Sequence, residues 1–454
     1  MSKKFNVSIM LKAVVIGVLI LIMLIPLIFV KGAITDRTQY RDEAVSKITE
    51  SWGGNLVIAA PILNIPYIVN TTEKVNNAEK TVTKTFYAKL TPKDLNISVE
   101  MDAQTRYIGI FETPVYTAHI SMKGSFDKAA GFSDSGLQDA FITIEINELK
   151  GISVPEFQWN GIKKDFAPAY LGAPISVDSI NNDYHNFIGT RSKFAAERSN
   201  KVYVLKALNS PVNLKNTGNG TFEISFDIKG SGTLSFVPLA RNNQISIRSN
   251  WANPSFSGKF LPDEKTIAKN GFEAKWNINY LASGIPERID TIKNGLVSFN
   301  TSLIIPIDNY RKAERASKYG ILFIILTFVL CFIFEIAYKK SIHPVQYLLV
   351  GFAMAIFYIL LVSISEFLPF TLAYSIAAIA TIALITIYAK LAIAKDIKLK
   401  QMGIVALSLS FLYGYLFIIL QLQDMALLYG SIGLFIALAV IMYMTRNIAW
   451  YEEQ

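Results

Sequence analysis

Two kinds of pattern alternate along this chain. In six stretches apolar residues run for 18 positions or more with almost no charge: Ala13–Val30, Ile321–Tyr338, Val345–Val362, Phe370–Tyr388, Met402–Leu420 and Met425–Met444. About 20 such residues cross the ~30 Å hydrocarbon layer as a helix, so six membrane spans are expected. Between the first and second spans the pattern is different. Tyr40, Ala44, Val45, Ile48 and Trp52 fall on one stripe of a helix, which Gly53-Gly54 should stop. From Asn55 to Pro306 short segments alternate apolar and polar positions. In FEISFDI, Phe222, Ile224, Phe226 and Ile228 share one face and Glu223, Ser225 and Asp227 the other. FITIEI (141–146), TLSFV (233–237), ISIRS (245–249) and VSFNTSLII (297–305) read the same way. The Thr-Gly-Asn-Gly turn chemistry before Phe222 predicts a hairpin. Many short strands and few helical windows predict an antiparallel, sandwich-like β domain.

The expected fold is therefore a six-helix membrane protein with a large β-rich domain inserted between the first two spans. Residues 1–30 form the N-terminal segment and first span, 31–317 the β-rich domain with its initial helix, and 318–454 a five-helix membrane domain. The basic start MSKKFNVSIMLK ahead of an apolar run also suits a signal peptide. An anchor is the better reading, because the run is long and Lys31 stands where small residues would mark cleavage. Pro26 inside it is tolerable in a membrane helix. DNYRKAERASKYG (308–320) is a basic helical lead-in to the second span.

Charge fixes the expected orientation. With the N-terminus inside, the cytoplasmic segments hold Lys3, Lys4, Lys12, Lys339, Lys340, Lys390, Lys395, Lys398, Lys400 and Arg446, while the short outer turns hold only Glu366 and Asp424. Both termini are then cytoplasmic and the β-rich domain lies outside. Of the net charge of +9, +4 belongs to residues 31–317 and +5 to the shorter, more apolar remainder. The basic balance thus follows from the positive-inside rule, and no nucleic-acid partner is needed to account for it. One cysteine, Cys331, excludes an internal disulfide. Three scattered histidines (His119, His185, His343) offer no metal cluster, and G-x-S-x-G, HExxH and GxxxxGK[ST] are all missing. No catalytic residue, cofactor or metal is expected, and the protein is read as a non-enzyme.

Four residues stand out as candidates. Glu366 and Asp424 are the acids nearest the membrane core, where an ionisable group can mark an ion route; both sit at span ends, so solvated helix termini are the favoured reading. His343, followed by Pro344, opens the third span as a possible proton sensor or, preferably, a cap. Trp251 lies in SNWANPSFSGKFLP with Phe256 and Phe260, either as an exposed binding loop or, preferably, as a lid on the β core. Glu335 precedes Lys339 by four residues, the order of a helical ion pair. Gln421 and Gln423 suit inter-helix hydrogen bonding. Ala373, Ala377 and Thr381, then Ala426 and Gly430, Gly433 and Ala437, permit close helix packing.

Several segments together resemble the CreD family of bacterial inner-membrane proteins, described as cell-envelope integrity proteins. They include RDEAVSKITESWGGNLVIAAPILNIPY, ETPVYTAHISMKGSF, SNWANPSFSGKFLP, PIDNYRKAERASKYGILFIILTF, IHPVQYLLVGFAMAIFYILLVSISE and LQLQDMALLYGSIGLFIALAVIMYMTRNIAW. The resemblance implies an inner-membrane location, a periplasmic domain and an association with envelope stress; it carries no catalytic residues. Two functions are weighed. The first is a non-catalytic envelope protein whose outer domain binds an envelope protein, lipid or glycan. The alternative is a transporter or lipid-handling protein using the second to sixth spans.

Overall fold

The computed structural model describes residues 7–75, 78–129, 131–169, 205–215, 220–289, 297–305, 309–337, 341–393, 399–422 and 425–446. The chain forms two compact units, one of residues 1–42 and 307–454 and the other of residues 43–306.

The helical unit begins with α1 (Val7–Ile22) and most of α2 (Leu24–Trp52), whose residues from 43 onward are counted in the other unit. Pro26 explains the break between them: it has no N–H for the Ile22 carbonyl, and the helix reopens at Met23. The sequence reading separated a membrane span from a later amphipathic helix, but α2 runs through both. Nothing between Val30 and Trp52 stops a helix except Gly32, which costs only about 1 kcal/mol inside one. The end comes where expected. Gly54 adopts φ +71°, and the Gly53 and Gly54 amides both bond to the Thr49 carbonyl. Of the expected stripe, Ala44 and Ile48 are buried and Tyr40 is exposed.

After the short helices α3 (Asp134–Gln138) and α4 (Tyr280–Ser283) of the other unit come α5 (Asn309–Lys318) and α6 (Gly320–Ala337). They are followed by α7 (Pro344–Ser365), α8 (Phe370–Tyr388), α9 (Leu399–Gln421) and α10 (Ala426–Thr445). Among the described residues five helices are long and apolar enough to cross a membrane. A sixth is reached if α5 and α6, bent by 48° at Tyr319, count as one broken span. Gly351 lets α7 approach α1, since a Cβ there would meet Met23 and, at 3.1 Å, the Phe328 ring.

The other unit is two sheets over one hydrophobic core. The ten-stranded sheet contains β1 (Leu56–Ala59), β2 (Ile62–Val75), β3 (Ala78–Leu90), β6 (Phe141–Ile146) and β9 (Ala167–Ala169). It continues with β10 (Lys206–Pro211), β12 (Thr233–Val237), β14 (Pro254–Gly258), β17 (Arg288–Ile289) and β18 (Phe299–Leu303). The eight-stranded sheet contains β4 (Asp94–Ile108), β5 (Phe111–Phe126), β7 (Glu156–Trp159) and β8 (Ile162–Lys164). Its other strands are β11 (Gly220–Ser231), β13 (Asn242–Ser249), β15 (Glu264–Ala268) and β16 (Gly271–Asn279), and the spatial order is β15-β16-β13-β4-β5-β11-β7-β8.

Alternation works as read in β11, whose Phe222, Ile224, Phe226 and Ile228 are all buried. Two details differ from the expectation. The pairs β1–β12 and β4–β13 are parallel, which a period of two does not reveal because it is the same in either direction. The expected hairpin before Phe222 is also replaced: β10 pairs with β6 and β9 in one sheet, whereas β11 pairs with β5 and β7 in the other. Residues 216–219 of that turn lie outside the described residues. Turn chemistry reverses a chain, but the buried faces on either side decide which sheet each strand joins.

Candidate functional site

The helical unit holds two inter-helix ion pairs. Arg37, on α2, grips Glu366 at the end of α7 in a bidentate pair, with Nε to Oε1 at 3.1 Å and Nη2 to Oε2 at 3.2 Å. The Glu366 side chain is 3% exposed. This fork geometry is the stronger form of carboxylate recognition. Glu366 is thus a paired, buried acid and not the solvated helix terminus of the sequence reading. Near the other end of α7, Glu335 of α6 is buried, paired with Lys12 of α1, and accepts the Tyr347 hydroxyl at 3.1 Å. Lys12 also donates to Ser341 at 3.1 Å. The intended partner of Glu335, Lys339, lies outside the described residues, as do Lys340, Gln423 and Asp424. Both cationic partners, Arg37 and Lys12, escaped the sequence reading. Each sits about 330 positions from its acid, and a local charge pattern carries no such signal.

His343 is the N-cap of α7. Its Nδ1 accepts from the Val345 amide at 3.3 Å, its own amide donates to Gln346 Oε1 at 2.9 Å, and Pro344 occupies the first turn. Ala373, Ala377 and Thr381 are buried, and Gly433 faces the Tyr415 ring, whose hydroxyl donates to the Tyr429 carbonyl. Gln421 is exposed.

In the β-rich unit Trp251 is half-buried against the core, and its indole N–H donates to the Ile304 carbonyl at 3.0 Å. Phe256 packs edge-on against Phe272 and Trp276, and Phe260 also lies on the core. Glu145, on β6, is 6% exposed, and its Oε2 has no hydrogen-bond partner. Burial raises its pKa above the usual carboxylate range, an effect that Lys89 opposes.

The solvent face of the eight-stranded sheet carries the open space. Ser246, Ser98, Ser121 and Ser225 stand at one register on four successive strands, β13, β4, β5 and β11. The row continues into Glu156 at one end and Lys275 with Glu264 at the other. Longer side chains flank it two residues away on each strand. One flank includes Asn277, Gln244 and Asn96; the other includes Arg248, Glu100, His119 and Asp227. Short serines between long neighbours leave a trough. Cavities of about 530 and 560 Å³ open along it, and a third of about 830 Å³ lies on the flank that carries Arg248, Glu100 and His119. His119 Nδ1 lies 2.6 Å from Asp227 Oδ1, and Asp227 is fixed through its amide to Ser153 Oγ at 2.9 Å. No group of three or more His, Cys, Asp or Glu residues is placed to hold a metal among the described residues. The serines were legible as polar positions of single strands; their alignment across strands was not.

A family model described as "Inner membrane protein CreD" matches residues 8–451. The protein of that description from Escherichia coli (strain K12) is 30% identical over 442 residues, covering 95% of this chain and 91% of that one. Among solved structures, an M1 zinc metallopeptidase from Deinococcus radiodurans aligns at 8% identity and a TM-score of 0.24, over 47% of this chain and 42% of that one. A second crystal structure of that description gives 7% identity and a TM-score of 0.23 over 51% of this chain and 53% of that one. So low a TM-score carries no argument about fold or activity.

Proposed function

The chain belongs to the CreD family of inner membrane proteins, and from that premise we propose a non-catalytic role in cell envelope integrity and envelope stress. The β-rich unit is the binding part, a sandwich-like domain facing the periplasm, and the helices anchor it. The protein is a multi-pass membrane protein; the orientation follows from charge. By sequence, ten lysines and arginines lie in the terminal segments and alternate inter-span segments, and none lies in the two short turns assigned to the outside. The Lys12 and Arg37 ion pairs support the placement of the bilayer. They are 25 positions apart in the one apolar span Met10–Trp52, ~37 Å of helical rise, enough to bracket a ~30 Å hydrocarbon layer.

The observation that carries the binding role is the trough on the eight-stranded sheet. The inner face of that sheet is closed by a continuous core, so its open, polar, concave face is where the unit can receive a partner. Photo-crosslinking side chains introduced along this face in living cells should capture the same envelope component reproducibly. If every position on the face captures nothing above a control at the exposed Ile68 of β2, on the other sheet, the proposal fails.

A second reading, transport through the bundle, is favoured by Glu335, a buried carboxylate that accepts from the buried Tyr347 hydroxyl with the part-exposed Lys12 beside it at one end of the helices, because ionisable groups buried among membrane helices often mark ion routes. Glu335→Gln should then abolish envelope protection at normal protein levels. Unchanged protection would leave the cluster as a structural tie.

A further inference from the structure

We infer that the trough on the eight-stranded sheet binds an uncharged, hydroxyl-rich polymer, a glycan strand lying across the β-strands along the serine row. The inference rests on the binding role proposed above and names the ligand class of that same site. Three features argue for it.

The first is shape. Six strands, from β16 to β7, border the row, and adjacent strands lie ~4.8 Å apart, so the trough is ~24 Å long. The flanking rows stand ~7 Å to either side of the serines. A long, narrow, shallow site suits an extended chain better than a compact small molecule.

The second is hydrogen-bonding capacity. The floor is made of hydroxyls, which both donate and accept. Asn277, Gln244 and Asn96 form a carboxamide wall that can pair with acetamido groups. Glu100 and Glu156 are exposed and have no ion pair among the described residues. A carboxylate without a cation is a strong acceptor for a hydroxyl donor.

The third is charge. Five carboxylates, Asp263, Glu264, Glu100, Glu156 and Asp227, line the two cavities on the row against one cation, Lys275, and the flanking Lys123 is neutralised by Glu223, on a chain whose net charge is +9. That excess repels phosphorylated or sulfated polymers and most anionic headgroups. With no net charge on the ligand, binding should depend little on salt.

The test uses the full-length protein in detergent and isothermal titration. The probes are a neutral N-acetylglucosamine dimer and its hexamer, a sulfated oligosaccharide, and a lysine oligomer. The hexamer should bind much more tightly than the dimer, with an affinity unchanged between low and high salt. Glu100→Gln combined with Glu156→Gln should weaken it about tenfold while leaving the thermal midpoint in place. Ser121→Trp, which fills the floor, should abolish binding. The inference is overturned if the hexamer does not bind, if the double variant binds as tightly as the natural chain, or if the sulfated or lysine oligomer is preferred. Crosslinking in cells separates the two levels. A reproducible protein or lipid adduct with no hexamer binding removes the glycan and keeps the binding role; no adduct from the face at all removes the binding role itself.

Discussion

Glu366, Glu335 and Glu145 are three acids that the fold treats differently. Glu366 is held by both arms of the Arg37 fork, so loss of Arg37 takes the fork from a buried carboxylate, whereas loss of Glu366 leaves a half-exposed guanidinium without its acid. Arg37→Ala and Glu366→Ala should each lower the thermal midpoint of the detergent-solubilised protein. In a double-mutant cycle the pair should show coupling of about 1–3 kcal/mol. Additive effects would show that the fork contributes nothing. Glu145 works in the opposite sense. Its folded pKa is raised by burial, so the native state holds its proton more tightly than the unfolded chain. The resulting stability is fully present below the unfolded carboxylate pKa and is lost as pH rises through the folded value. Glu145→Gln should therefore stabilise the protein at pH 8 and change little at pH 4; equal effects at both would contradict the assignment. The residue type alone announced none of this. A carboxylate in the sequence is the same letter whether a guanidinium grips it, a lysine pairs with it, or one of its oxygens is buried without a hydrogen bond.

At the scale of elements, local signals were read best where local physics decides. Gly53-Gly54 ends α2 because the left-handed turn at Gly54 needs no distant partner. A Cβ on Gly53 would run into the Lys229 backbone, so Gly53→Ala should destabilise the β-rich unit by about 1–3 kcal/mol, visible as faster limited proteolysis. Protection equal to that of the natural chain would show that the helix end is not packed as described. Gly351 makes the matching case among the helices: Gly351→Leu should separate α7 from α1 and lower the yield of folded protein. The elements misread were those settled by partners. Pro26 is tolerated within one apolar span, as expected, at the cost of a one-residue interruption at Met23; the end of that span is what the local pattern missed, because the helix runs on to Trp52. The strands on either side of the Thr-Gly-Asn-Gly turn went to different sheets because their buried faces belong to different layers.

For the whole molecule, composition was enough to separate a membrane part from a β-rich part, since bilayer thickness sets the length of apolar runs. The trough was not legible. Ser98, Ser121, Ser225 and Ser246 come from distant stretches, and only the registers β13–β4–β5–β11 bring them into one row. All of the functional reading depends on that row facing the envelope side of the membrane. A single cysteine at Ser121, in a chain whose Cys331 is replaced by serine, tests this most directly with a small membrane-impermeant maleimide on intact cells. The account predicts labelling of Cys at position 121 without lysis, while a cysteine at Lys390 reacts only after the inner membrane is opened. Labelling in the reverse order would place the β-rich unit in the cytoplasm and contradict the account.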